Sequence, residues 1–332
     1  MRICLLGEFK GLPDEGMRKT SMNILKVLKK KHEVLALDLR DVTNYRFWSS
    51  LKDFDPEIVH YLHGASFRSF IVLRMVSKLC PRAKKIISVM QLPSTWDLAL
   101  ISVITYKPDL LLVPFKSSCR VLERFSIKTK VFPLGGVDVD RFTPRAKEDR
   151  VLLREKYGLR KDWFLILCVG HIKKERNLLV LKELQKEEED KVIIVGSTSV
   201  KPNKKILKKL EEAGCIIWRK FLKSIEEVYA MSDCFVFPTF SEKGAIQLPL
   251  SVLEAMACNL PVITTKFGTL PYIFNEGDGL FFAEKIEDFV SALHQVKEGH
   301  LNCRTREKVL PYSWEIVVKR LENIYREMLE RE

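Results

Sequence analysis

The segment PTFSEKGAIQLPLSVLEAMACNLPVITT, residues 238–265, encodes the end of a strand, an irregular loop, a short helix and the next strand. Pro249 suits a first helical position, because its ring fixes φ and its missing N–H has no partner to lose there. Asn259 falls where a left-handed C-terminal cap is expected, and Pro261 stops the helix from continuing. Leu250, Val252, Leu253, Met256 and Ala257 make this helix apolar nearly all round, so it is expected to be buried in an α/β layer. Glu254 is the exception. A buried carboxylate must be paired or must bind something polar, which leaves two alternatives, an Arg or Lys partner or a polar ligand. Gln247 and Leu248 precede Pro249 and supply no Ser, Thr, Asp or Asn cap, so the first-turn N–H groups are left to a phosphate or to water.

Short apolar runs alternate with helical patterns on both sides of this segment, as in doubly wound parallel sheets. Residues 2–7, 33–39, 58–63, 85–90, 110–114 and 130–133 read as strands of one unit. Residues 164–170, 191–196, 215–218, 234–237 and 261–264 read as strands of a second, with a junction near 142–147. The 332 residues suffice for two domains of ordinary size, and 46% hydrophobic with 30% charged residues is a globular composition. No apolar run approaches the roughly 18 residues of a membrane span, and MRICLL begins a strand rather than a cleavable signal, so a cytoplasmic location is expected. The eight cysteines stand singly, without a CxxC pair or a zinc-spaced His, and are expected to be reduced and mostly buried.

The net charge of +13 is uneven: residues 1–140 hold 23 Lys and Arg against 14 Asp and Glu. Two basic stretches contribute, RKTSMNILKVLKKK from residue 18, with Met22, Leu25 and Leu28 on one helical face, and FRSFIVLRMVSKLCPRAKK from residue 67. Each reads either as a solvated helix face or as a segment that lies on an anionic membrane surface. The basic balance alone does not make a nucleic-acid binder, because no aromatic-rich basic motif or recognised module accompanies it. Scarce Gln beside abundant Lys and Glu fits a thermophile source.

SVLEAMACNLPVITT followed by FGTLPYI resembles the donor-site signature of GT-B fold glycosyltransferases of the family 4, or group 1, type. MRICLLGEFKGLPDEGM is similar to that family's first strand and loop, GGVDVDRFTP at 135–144 to the segment ending its N-terminal domain, FLILCVGHIKKERNL to its phosphate loop, and YSWEIVVKRLENIYREML to its terminal helix. The resemblance implies an α/β GT-B fold of two Rossmann-like domains facing a central cleft. Residues 1–143 would form the acceptor-side domain, 144–310 the nucleotide-sugar donor domain, and 311–332 a helix crossing back to the first.

What the family assigns to individual positions carries over as follows. The donor diphosphate's Arg and Lys fall at His171 and Arg176; Arg176 keeps a permanent forked charge, His171 does so only partly, and Lys173 or Lys174 is an alternative contributor. Asn177 replaces a Gly whose left-handed geometry Asn tolerates. Glu254 matches the family's ribose-binding glutamate. Eight positions earlier, where a partner glutamate is expected, stands Ile246, so Gln247 or Glu242 takes the place beside the donor sugar. Backbone amides of Gly244, Ala245 and Ile246 would cradle the sugar or distal phosphate. Gly11 and Gly16 flank the loop that approaches the phosphates, and tight turn formation alone would also explain them. His63 is the acceptor-side candidate, whereas His60 reads as a structural histidine; Gln91 stands where the family often has His. Residues 218–222 lie near the expected base contacts.

The resemblance thus implies a retaining transfer of a hexosyl group from a nucleotide-diphosphate sugar, without a cofactor. The basic excess of the first domain, which in this fold type usually holds the acceptor, points to a lipid-linked or glycan acceptor and to a cytoplasmic location, peripheral at the inner face of the membrane. No metal is expected, since Asp138-Val139-Asp140 sits in the GVD…F context rather than in a metal-binding one. The alternative is a catalytically weak or inactive GT-B protein that binds nucleotide sugars, motivated by His171, Ile246 and Gln91.

Overall fold

The computed structural model describes residues 1–330. Two compact units emerge: Met1–Gly135 with Ile246–Leu248 and the segment starting at Trp314, and Gly136–Ala245 with Pro249–Ser313. The last two positions of the expected terminal segment, 331 and 332, lie outside the described residues.

The first unit carries a parallel sheet of β1 (Arg2–Gly7), β2 (Glu33–Asp38), β3 (Ile58–Tyr61), β4 (Lys84–Ser88), β5 (Leu110–Val113) and β6 (Thr129–Val131), in the order β2-β1-β3-β4-β5-β6. The second carries β7 (Phe164–Val169), β8 (Asp190–Val195), β9 (Ile216–Trp218), β10 (Cys234–Phe237), β11 (Val262–Thr264) and β12 (Leu280–Phe282), ordered β12-β11-β10-β7-β8-β9. The inner strands IVHY, LLLV and CFVF are buried at every position because helices cover both faces of a parallel sheet. On one face of the first sheet, Leu6, Val59, Ile87 and Leu111 pack with Phe70 and Leu73. In the second unit Ile166, Ile194, Val236 and Ile263 pack with Leu181 and Phe289.

Strand order dictates where ligands can be met. In each sheet the opening strand sits inside, with later strands added first on one side and then on the other, so the chain reverses between β1 and β3 and between β7 and β10. Loops leaving those paired strands diverge to opposite faces and open a crevice at their C-terminal ends.

Three expectations change. β12 was absent from the sequence-derived strand set; it is three residues long and follows the turn Gly277-Asp278-Gly279, too short for a periodic signal. The ladders end before His63, Met90 and Gly170, which lie in the loops beyond. Pro249 is the N-cap of helix Leu250–Ala257 rather than its first residue; with ψ of 115° its backbone is extended. Asn259 does take the left-handed conformation, at φ 56°, and its side chain bonds the Cys303 carbonyl and the Arg306 N–H.

Helix Gly16–Leu28 buries Thr20, Ser21, Ile24 and Leu28, leaves Met22 and Leu25 only half-exposed, and packs on the terminal helix Trp314–Leu329, so it has no open apolar face. The terminal helix buries Trp314, Val318, Leu321 and Tyr325 in the first unit. Its polar anchors are Glu322, 3.1 Å from His32 Nε2, and the Tyr325 hydroxyl, 2.6 Å from His60 Nδ1. Ser88 Oγ meets the other His60 nitrogen at 2.7 Å, which makes His60 the satisfied structural histidine expected. Complete burial pushes its pKa down from 6.5 to about 3.

A histidine held neutral in the fold stabilises it above the unfolded pKa, and this contribution is lost as pH falls from about 6.5 towards 3. Equilibrium unfolding followed from pH 7 to pH 4 should therefore show a slope that approaches about 1.4 kcal/mol per pH unit from this group. His60→Gln is less stable at pH 7 but loses that part of the slope; an unchanged slope in the variant would refute the assignment.

Candidate functional site

The β7–β10 crossover point assembles a site from two loops of the second unit. Gly170 directly follows β7 with φ 148°, and a Cβ there would meet Arg176 Nη1 at 3.1 Å and Cζ at 3.2 Å. Only a glycine lets the guanidinium rest against the loop backbone. The loop then returns through the short 3-10 turn Lys174–Arg176, and Asn177 closes it in left-handed geometry at φ 53°. Asn tolerates that geometry where most residues resist it.

Arg176 projects back over the end of the neighbouring strand, its Cζ 5.3 Å from the Phe237 ring centroid. Its Nε is buried without a hydrogen-bond partner, and among the described residues no carboxylate pairs with its guanidinium. Burial lowers its pKa to about 10, which still leaves it cationic at neutral pH. His171 lies in the same loop directly after Gly170, with Lys173 half-exposed and Lys174 exposed.

From the β10 side come Thr239 and the turn that Gly244 closes by donating its N–H to the Ser241 carbonyl at 2.8 Å. A Cβ on Gly244 would lie 2.5 Å from Thr239 Cγ2 and 2.7 Å from the Glu175 carbonyl oxygen, so the β10 loop touches the Arg176 turn backbone to backbone. Thr239 is fully buried, and its Oγ1 has no hydrogen-bond partner although its carbonyl accepts from the Thr265 hydroxyl. Sequence reasoning did not select Thr239; its signal was its place just past the C-terminal end of β10.

Ala245 is buried beside Gly244, whereas Glu242 is exposed at the tip of the same turn. Beyond the turn, Glu254 is 3% exposed on helix Leu250–Ala257, and its Oε2 accepts a 2.9 Å hydrogen bond from the Tyr229 hydroxyl. Burial first, and the Glu254 charge second, hold the Tyr229 hydroxyl protonated far above its usual range. Phe142 and Phe235 pack on the Tyr229 ring and fix the donor's position. Arg306 closes the helix's C-terminal end, bonding the Ala257 carbonyl as well as those of Phe142 and Val139. Asp138 caps the adjoining turn through the Arg141 N–H, a structural use of the Asp138-Val139-Asp140 string.

The other expected residues belong to the first unit, at its β1–β3 crossover point. His63 accepts the Glu8 N–H at Nε2, 3.1 Å away, which assigns the proton to Nδ1, 3.6 Å from Glu8 Oε1. Burial lowers the pKa of His63 against the opposing pull of Glu8. Glu8 also meets Arg18 at 3.1 Å, and Arg18 packs on Gly11, whose φ of 101° demands glycine. Gly16 opens helix Gly16–Leu28, where a Cβ would strike Ile246 Cδ1 at 2.9 Å. Gln247, 1% exposed, donates its backbone N–H to the Met90 carbonyl at 2.8 Å. The structure thus groups His171, Arg176, Gly244 and Ala245 at one crossover point, and Gly11, Gly16, His63, Ile246 and Gln247 within the other unit.

A buried cation without a carboxylate weakens the fold that holds it. Arg176→Met keeps the contact with Phe237 and removes the charge. Its melting temperature without ligand should equal the parent's or exceed it by about 1–4 °C. A loss of several degrees would mean that Arg176 is structural.

Residues 149–309 match the family model described as glycosyl transferases group 1. Sulfoquinovosyl transferase SQD2 of Arabidopsis thaliana is 29% identical over 201 residues, 57% of this chain and 38% of that protein. A GDP-mannose-dependent monoacylated alpha-(1-6)-phosphatidylinositol monomannoside mannosyltransferase of Corynebacterium glutamicum is 28% identical over 215 residues, 57% of this chain and 54% of its own length. The chain spans about half or less of these two relatives. Among solved structures, Anabaena HepE in complex with UDP shares the fold with a TM-score of 0.77 at 13% identity, covering 98% of this chain and 100% of that one. Residues 149–309 thus carry the group 1 glycosyl transferase domain, and the chain as a whole has the GT-B architecture of its solved neighbours.

Proposed function

We propose that the protein transfers a hexosyl group from a nucleotide-diphosphate sugar to a lipid-linked or glycan acceptor, with retention of anomeric configuration. The observation that carries this is Arg176, a half-buried cation whose buried Nε has no hydrogen-bond partner and whose guanidinium meets no carboxylate among the described residues, at the β7–β10 crossover point beside the buried hydroxyl of Thr239 and the Gly244 turn. A diphosphate supplies the charge and acceptor atoms that such a site lacks. The UDP in the Anabaena neighbour and the GDP-mannose in the Corynebacterium relative's name are of the same chemical class.

In this proposal Arg176 and the loop amides stabilise charge as it gathers on the departing diphosphate, a task that needs no metal. His171 assists when protonated. Glu254, oriented by Tyr229, binds the ribose hydroxyls. Gln247 lies beside the donor sugar, with Glu242 as the alternative, and the amides of Gly244, Ala245 and Ile246 hold the sugar or distal phosphate. Gly11 and Gly16 let backbone approach the phosphates, and His63, its Nε2 accepting from the Glu8 N–H and its Nδ1 facing the Glu8 carboxylate, is the acceptor-side group. The protein acts in the cytoplasm, peripherally at the membrane, in a heat-adapted source. Ile246 in place of the expected glutamate favours a second reading, a nucleotide-sugar-binding protein with weak or absent turnover.

Thermal shift against uridine, guanosine, adenosine and cytidine diphosphates should single out one that raises the melting temperature, by roughly 2.7 kcal/mol of added stability at a hundredfold excess over Kd. No response to any of the four would overturn the donor-site assignment. With the responding nucleotide's sugars as donors, Arg176→Ala should lower kcat/KM about 100- to 1000-fold for transfer or donor hydrolysis. Glu254→Ala should chiefly raise KM, by about tenfold or more. Binding without turnover across a broad acceptor panel would establish the second reading.

A further inference from the structure

Of the two basic stretches in the first unit, one keeps an apolar face open. Helix Phe67–Leu79 turns Phe70, Leu73 and Val76 into the core and leaves Phe67, Ile71, Met75 and Leu79 exposed. Their spacing of four residues aligns them in one row about 18 Å long. Ser66 caps this helix, and the Phe67 N–H donates to Asp97 Oδ1 at 3.1 Å, which ties it to the start of helix Thr95–Ser102. That second helix adds Trp96, 79% exposed, Leu100, and beyond its end Val103, 75% exposed. Monomeric proteins seldom present so many large apolar side chains from two adjoining helices to water.

Charge identifies what covers the surface. From residue 58 to residue 96 there is no Asp or Glu, while Arg68, Arg74, Lys78, Arg82, Lys84 and Lys85 all fall within it. Arg74, Lys78 and Arg82 are exposed, and among the described residues none is paired with a carboxylate. Asp97, which ends the acid-free stretch, is occupied by the Phe67 and Ser94 N–H groups. A second copy of the chain would bring cations against cations. An anionic bilayer instead takes the aliphatic and aromatic side chains at its interface and the cations among its headgroups.

We infer that helices Phe67–Leu79 and Thr95–Ser102 form a membrane-docking surface that lays Phe67, Ile71, Met75, Leu79, Trp96, Leu100 and Val103 into an anionic lipid interface, with Arg74, Lys78 and Arg82 on phosphate headgroups. This deepens the peripheral location proposed above, yet it stands on residues outside the donor site. A failed nucleotide screen would leave it intact, and a failed membrane assay would leave the donor site intact.

The test is co-sedimentation of the full chain with vesicles of phosphatidylcholine and phosphatidylglycerol, against vesicles of phosphatidylcholine alone. The protein pellets with the anionic vesicles and releases at high salt, and a blue shift of its tryptophan emission is lost in Trp96→Phe. Ile71→Glu with Met75→Glu, and separately Arg74→Glu with Lys78→Glu, weaken partitioning at least about tenfold, since each touches one of the two attractions. Both pairs keep the parent's melting temperature and its response to nucleoside diphosphates. Absence of pelleting, equal pelleting of the folded variants, or a dimer in vesicle-free solution that Ile71→Glu with Met75→Glu dissolves would each overturn the proposal.

Discussion

The second unit is organised around the Arg176 charge, which meets no carboxylate among the described residues. Arg176 reaches its position only because Gly170 has no side chain, Asn177 accepts a left-handed turn, and Gly244 lets the β10 loop touch the carbonyl of Glu175. Any side chain at Gly170 or Gly244 would displace backbone or guanidinium, so the two loops are fitted to each other around this residue. Phe237 offers its ring face, which softens the cost of desolvation but supplies no counter-charge.

Two other arginines that turn into this unit find partners within the chain. Arg154, 6% exposed, bonds the carbonyls of Met231, Lys161 and Trp163 and pairs with Asp233 at 2.7 Å. Arg306 spends its guanidinium on three carbonyls at the end of helix Leu250–Ala257. Against these two, the unmet Nε of Arg176 and the unmet hydroxyl of Thr239 mark a place arranged for something outside the chain. Glu254 belongs to the same design in another way: its hydrogen bond from Tyr229 sets the carboxylate's direction.

Much of this was legible in sequence because the decisive residues act through local rules. Asn177 and Asn259 announce left-handed turns, the short apolar runs announce buried parallel strands, and a lone acid on an apolar helix announces a polar partner. The partner itself was not legible, since Tyr229 lies 25 residues away on another helix and meets Glu254 only through the fold. Thr239 escaped notice for a similar reason, as a threonine after a strand looks ordinary until its surroundings are known. β12 was too short to show a period, and Pro249 shifted by one position because a proline satisfies cap and first turn alike. The two basic stretches were indistinguishable as sequences. Packing separated them, by laying helix Gly16–Leu28 against the terminal helix and leaving the stripe on Phe67–Leu79 open.

The most direct measurement is a crystal structure of the protein with the nucleoside diphosphate that stabilises it. The diphosphate oxygens should lie within hydrogen-bond distance of the Arg176 guanidinium, beside Gly170 and Gly244, with the ribose hydroxyls on the Glu254 carboxylate. A nucleotide bound elsewhere, with Arg176 still resting unliganded on Phe237, would contradict the account.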